Sequence, residues 1–267
     1  MKKNFIFSLA CILFFLACKK DIAPITFSKQ SIKQEAPFKD SLSSFNVVVN
    51  YLVAEGATPE VIKSINDTLQ NEIAMNFLSM SDDTVFQKMD INSALQKFRT
   101  SYDNMLKEQD GIPESERFNL NYEVEMDFKE MSRNEKAVCI SGSNYFYTGG
   151  AHPNGFTSYY VFDSQTGKTF FLENLVKDKA KMIDLLEKEV RKVAEIKEGV
   201  SLESEGFFLD ETTKRIPLPL NFALSEDKKG ISFIYNPYEI ASYAAGPIAF
   251  TVPFGALEGI LDLEKIK

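Results

Sequence analysis

Tryptophan is absent from this sequence, and histidine occurs once, at position 152. The first absence removes an indole platform for sugar stacking and leaves that task to tyrosine. The second closes off zinc sites that need two or three histidines, those of metal-dependent sugar deacetylases among them. No Gly-x-Ser-x-Gly elbow, Walker loop or Cys/His nucleophile pair is present either. No metal and no other cofactor is therefore expected. Cysteine is nearly as scarce, with Cys11, Cys18 and Cys139 alone.

One apolar run stands out, and it is short. Phe5 to Phe15 follows Lys2 and Lys3 and leads into Leu16-Ala17-Cys18. A cationic start, about ten apolar residues and a small residue before a cut are the parts of an export signal. The run falls well below the roughly 20 residues that a membrane span needs. A cysteine directly after the Leu-Ala pair marks a bacterial lipoprotein, although Phe15 is bulkier than the aliphatic residue usual there. Residues 1–17 are thus expected to be removed and Cys18 to carry lipid. One acyl chain anchors only marginally, at about 0.8 kcal/mol per buried methylene, so stable anchoring takes two or more. A diacylglycerol plus an amide-linked chain such as palmitate meets that need. The expected address is the cell envelope, outside the cytoplasm, on the inner or the outer membrane.

Loss of Cys11 with the signal and of Cys18 to lipid leaves Cys139 without a disulfide partner, so the exported body must rely on its core. That cysteine sits in Lys136-Ala137-Val138-Cys139-Ile140, which reads as a strand with a buried, inert thiol. Loss of Lys2 and Lys3 leaves 28 basic against 38 acidic residues, a net charge near −10. Such a balance argues against nucleic acid and against charge-driven adhesion to anionic lipid, and favours a cationic partner weakly. At 44% hydrophobic and 25% charged residues the composition is that of a globular protein, and phenylalanine, at 23 residues in the full sequence, is abundant enough to build a core on.

After a tether over 18–26, Phe45 to Val53 reads as a strand. Thr58-Pro59-Glu60 begins a helix, and Val61, Ile62, Ile65, Leu69, Ile73 and Phe77 continue it at helical spacing. A second helix covers Ile91 to Glu108, and Gly111-Ile112-Pro113 suggests a division of the chain. Phe118 to Phe128 alternates with period two and pairs with Lys136 to Phe146. Thr157 to Phe162 is another strand, and a turn over Asp163 to Lys168 leads into Thr169-Phe170-Phe171. That turn does not fit a calcium loop, because Gln165 stands where an oxygen ligand belongs and no Glu closes it. Asp178 to Lys197 is a helix with Ile183, Leu186, Val190, Val193 and Ala194 inward. Leu218 to Leu224 and Gly230 to Tyr235 form a hairpin, and Ile248 to Val252 is the last strand. These elements predict an α+β fold, with antiparallel sheets, helices packed on one face and two sub-domains. The expected modules are 27–112 and 113–267.

Two segments stand out as candidate sites. Asn144 to Gly155 leaves a strand, passes Gly149 and Gly150, and returns through Asn154-Gly155. It either presents Tyr147, His152 and Asn154 to a ligand or is a hairpin connection whose histidine bonds backbone. Asn236 to Pro247 places Tyr238 and Tyr243 between strands, as ligand contacts or as an aromatic cover over the core.

Tyr147-Thr148-Gly149-Gly150-Ala151-His152-Pro153, then Phe162 to Lys168, then Tyr238 to Pro247 resemble the domain-of-unknown-function family numbered 3298. The preceding region is similar to a companion module numbered 4163, which also occurs in a peptidoglycan deacetylase. There it accompanies a separate metal-dependent catalytic domain, which the histidine count excludes here. The extracellular region of lysozyme-binding anti-sigma factors is similar too. Lysozyme is strongly basic, so the resemblance and the acidic charge agree. The cytoplasmic helix and membrane span of such factors are lacking here, so ligand binding is carried over and sigma-factor control is not.

The leading expectation is a non-enzymatic envelope module that binds a lysozyme-like protein or a peptidoglycan-related glycan. An enzyme acting on cell-wall sugar through carboxylates stays open, since spacing in sequence does not report spacing in space. So does a structural envelope protein, which predicts a flat surface near His152, Tyr238 and Tyr243. His152 exposed in a cleft beside acids would favour the enzyme; His152 buried against backbone would favour a folding role.

Overall fold

The computed structural model describes residues 23–36, 42–81 and 87–267. The expected signal segment and Cys18, with most of the tether, lie outside the described residues. The main sheet comprises β1 (Thr26–Ala36), β2 (Ser43–Glu55), β3 (Leu120–Arg133), β4 (Ala137–Thr148) and β5 (Asn154–Asp163), in that spatial order. Along β3, Leu120, Tyr122, Val124, Met126 and Phe128 all turn to one face and are buried. Two helices cover that face: α1 (Pro59–Ser79) and α2 (Ile91–Glu108). Proline pre-sets the first turn of α1, while Asp90 caps α2 by accepting the Ser93 backbone N–H at 3.0 Å.

The resulting core is aromatic. Phe98 of α2 lies with its ring centroid 5.5 Å from Phe45, 5.7 Å from Phe77 and 5.7 Å from Tyr122. The opposite face of β4 and β5, through Ala137, Cys139 and Val161, joins a second core with α3 (Lys179–Val193) and a three-stranded sheet. That sheet comprises β6 (Asn221–Leu224), β7 (Gly230–Tyr235) and β8 (Ile248–Pro253). The Cys139 thiol is buried, and burial pushes its pKa up, which suits an inert side chain.

The fold is α+β with two cores, as the elements imply, but its division differs from the expected one. β2 pairs in parallel with β3, from Ser43 beside Leu120 to Asn50 beside Asp127. A boundary at 112–113 would cut through one continuous sheet, so the modules 27–112 and 113–267 are not separate bodies. The helices α1 and α2 are the crossover between those two parallel strands, as parallel pairing requires. The two cores instead share β4 and β5, one on each face.

Two local features are new and one expectation changes. β1 falls in 26–36, where Ser28, Lys29, Gln30, Lys33, Gln34 and Glu35 give no apolar alternation. It is an edge strand, where lysines discourage pairing with other chains. The segment 169–171 that follows the turn forms a single bridge, Phe162 to Thr169. The helix α3 stops at Val193, which is 44% exposed, and Ala194 is exposed as well. Met182 takes the inward place, and the chain reverses at Glu195, whose φ is 53°.

Candidate functional site

The edge of β5 is where the second core meets the first sheet, and side-chain amides make the junction. Asn236, just after β7, accepts the Thr157 backbone N–H at 2.8 Å and donates to the Thr157 carbonyl at 3.0 Å. Asn221, at the start of β6, accepts the Tyr159 N–H at 3.0 Å. Further along, the Phe170 N–H donates to the Val161 carbonyl at 2.7 Å. Amides thus stand in for a neighbouring strand and satisfy the edge. A sixth strand would fill the space beside β5; short side chains leave it open as two adjoining clefts.

The first cleft, about 480 Å³, is lined by Tyr145, Pro153, Asn154, Gly155, Pro237 and Tyr243, with the run to Pro247 behind them. Beside it three rings stack in series. His152 lies 4.2 Å from Tyr243 with planes 22° apart, and Tyr243 lies 5.9 Å from Tyr238 at 29°. His152 is exposed, and Tyr238 is 52% exposed. The Nδ1 atom of His152 is 2.8 Å from the Pro153 carbonyl. A carbonyl only accepts, so Nδ1 is the donor in this contact.

Backbone conformations that side chains resist build this stack. Gly149 has φ of 92°, and a Cβ there would come within 2.7 Å of the Asn119 carbonyl oxygen. Tyr238 adopts φ of 71°, a region that costs a non-glycine residue about 1–2 kcal/mol. Its N–H donates to the Ala241 carbonyl at 2.9 Å, which holds the strained turn closed.

The second cleft, about 500 Å³, shares Asn154, Gly155 and Pro237 with the first and wraps around the β5 edge. Glu72 of α1 enters it from one side and Glu239 from the other. Burial pushes the pKa of both carboxyls up, since a charged form is poorly solvated there. Asn236 donates to Glu239 at 3.1 Å and partly offsets that effect. Tyr159, Tyr160, Phe156, Phe170 and Phe171 supply aromatic surface.

Of the five candidate ligand residues, His152, Tyr238 and Tyr243 come together in the stack. Asn154 lines both clefts, with its amide oxygen accepting the Gly155 N–H at 3.0 Å. Tyr147 stands apart from both linings; its hydroxyl donates to the Gly150 carbonyl at 2.9 Å and braces the loop. His152 fits neither simple alternative, being exposed and bonded to backbone without a carboxylate partner among the described residues. Among the described residues no group of three or more His, Cys, Asp or Glu could hold a metal ion. The Asp163 carboxylate accepts from the Gln165 and Thr166 backbones at 2.9 and 2.7 Å, so that turn is closed by its own side chain. Sequence reasoning missed Glu72, Tyr160 and Asn221, and passed over Asn236 and Glu239 within a segment it did single out. An amphipathic helix flank such as Glu72 carries no local signal that a strand edge lies opposite.

Two family models match the chain. Residues 38–155 match the one described as "Deacetylase PdaC", and residues 168–255 match "Protein of unknown function (DUF3298)". The first crosses residue 112 and ends inside β5, in keeping with the continuous sheet. The resemblance to family 3298 is thereby supported over its main body. Two crystal structures are similar. A DUF3298 family member from Bacteroides fragilis is 20% identical, covering 91% of this chain and 95% of that one, with a TM-score of 0.67. A DUF3298 family protein from Pseudomonas aeruginosa is 14% identical, covering 90% and 95%, with a TM-score of 0.56. At these identities the likeness is one of fold. No curated protein matches the chain.

Proposed function

We propose that the chain is a lipid-anchored recognition module of the bacterial cell envelope, which binds an extracytoplasmic glycan or protein without converting it. One observation carries this reading. An exposed stack of His152, Tyr243 and Tyr238 borders a cleft, and no nucleophile–base pair stands beside it among the described residues. Planar rings with one wet edge suit contact with sugar or with a protein surface. Clefts beside these residues also differ from the flat surface expected of a purely structural role. Glu123, Glu125 and Asp127 share one face of β3, turned away from its buried side chains, with Tyr145, a lining residue of the first cleft, opposite Glu125 in register. That acidic stripe favours a basic partner, such as a lysozyme-like protein. The match to a model named for a deacetylase adds cell-wall glycan to the candidates.

Calorimetric titration of the mature chain with peptidoglycan fragments and with lysozyme tests the reading. Binding of at least one is expected, with Tyr243→Ala weakening it by about tenfold, as removal of a central aromatic contact does. Failure of both ligands, or an unaffected Tyr243→Ala, would remove it. The anchor is tested separately: Cys18→Ala should release the chain from membranes, and continued partitioning would contradict lipidation there.

A further inference from the structure

The cleft that wraps the β5 edge has a chemistry of its own. Among the described residues its lining contains Glu72 and Glu239 and no Lys, Arg or His. Burial acts on both carboxyls, Asn236 donates to Glu239 alone, and no cation among the described residues acts on either. Two acids alone would be weak ground, but two further features point to a ligand. Tyr160 is only 8% exposed and lines the cleft, yet its buried hydroxyl forms no hydrogen bond. The Glu72 carboxyl stands beside that hydroxyl, near enough to affect its titration without meeting hydrogen-bond geometry. At the same cleft, Phe171 is 58% and Leu220 is 83% exposed, large apolar side chains left facing water.

We propose that this cleft binds a small organic cation, a primary ammonium group on a compact and partly apolar body. Glu72 and Glu239 answer the charge, the Tyr160 hydroxyl is a further hydrogen-bonding group, and Phe170, Phe171 and Leu220 cover the carbon skeleton. A cation supplies the counter-charge that the protein itself withholds from two half-buried carboxyls. Aromatic faces add attraction for an ammonium group. A hard metal ion fits poorly, since calcium takes about six to eight oxygen ligands and this lining is largely aromatic. The volume, about 500 Å³, lies within the span usual for small-molecule sites. The inference rests on the recognition reading in one respect, that the ligand is bound and not converted.

Titration of the mature chain with two ammonium probes and their uncharged twins tests it. The probes are glucosamine with N-acetylglucosamine, and lysine amide with Nε-acetyl-lysine amide. At least one ammonium probe should bind about tenfold or more tightly than its acetylated twin, and the tighter probe names the scaffold that carries the amine. Glu72→Gln and Glu239→Gln should each abolish most of that preference while keeping a cooperative unfolding transition. Equal binding of the twins by the unaltered chain, or an unchanged preference in both variants, would overturn the proposal. Loss of the preference alongside intact peptidoglycan or lysozyme binding defeats this inference alone. Retained preference without either larger ligand defeats the recognition reading alone.

Discussion

The two layers that flank the five-stranded sheet meet it in different ways. On one face, α1 and α2 press rings directly against strands, and Phe45, Phe77, Phe98 and Tyr122 close the space. On the other, Ala137, Cys139 and Val161 pack into the second core, but at the β5 edge the second sheet is joined through Asn221 and Asn236, and clefts remain beside them. Apolar closure leaves no room for a ligand; amide bridging holds the halves together and still leaves surface to be read. The candidate site therefore lies where packing gives way to hydrogen bonding. It draws residues from both cores, Tyr160 from the first and Phe222 from the second, with Glu72 on α1 and Asn236 and Glu239 just beyond β7.

Substitutions at the two contacts should separate stability from binding. Phe98→Ala should cost the most, about 3–5 kcal/mol in urea unfolding, because a fully buried ring is lost from a close-packed cluster. Ligand affinity below the unfolding transition should change little. Asn236→Ala removes both partners of the Thr157 backbone and should cost about 2 kcal/mol. Binding should suffer more than in Phe98→Ala, since the same amide also orients Glu239. If the two variants affect affinity equally, the contrast between the layers fails.

The smallest effect is expected from Glu72→Gln, and it depends on pH. Burial raises the Glu72 pKa in the folded state above its ordinary value of 4.5. The folded protein therefore holds that proton more tightly than the unfolded chain. This contribution to stability is fully present below the ordinary value and is lost as pH rises through the folded one. Glutamine cannot ionise and does not lose it. The variant should melt above the unaltered chain at neutral pH and match it in acid. A pH-independent difference in melting temperature would point away from charge burial.

Much of the fold was legible because period and punctuation agree locally. Thr58-Pro59 marks the start of α1, and alternation from Leu120 to Phe128 marks β3. β1 was not legible, because an exposed edge strand buries too little to force alternation. The place of Gly111-Ile112-Pro113 shows the other limit. A local break is visible in sequence, but the parallel pairing of β2 with β3 across it is a long-range fact. For the same reason the stack was legible in part: two unusual loops were visible, and their meeting at His152 and Tyr243 was not. Glu72 and Tyr160 lie 88 positions apart, so their junction had no trace in either segment.

The most direct measurement is NMR mapping of backbone and ring signals during titration with peptidoglycan fragments and lysozyme. A ligand held at the β5 edge should shift signals from 152–160 and 236–247, with Tyr243 and His152 foremost. Shifts confined to the α1–α2 face, or to β1, would contradict a recognition site at that edge.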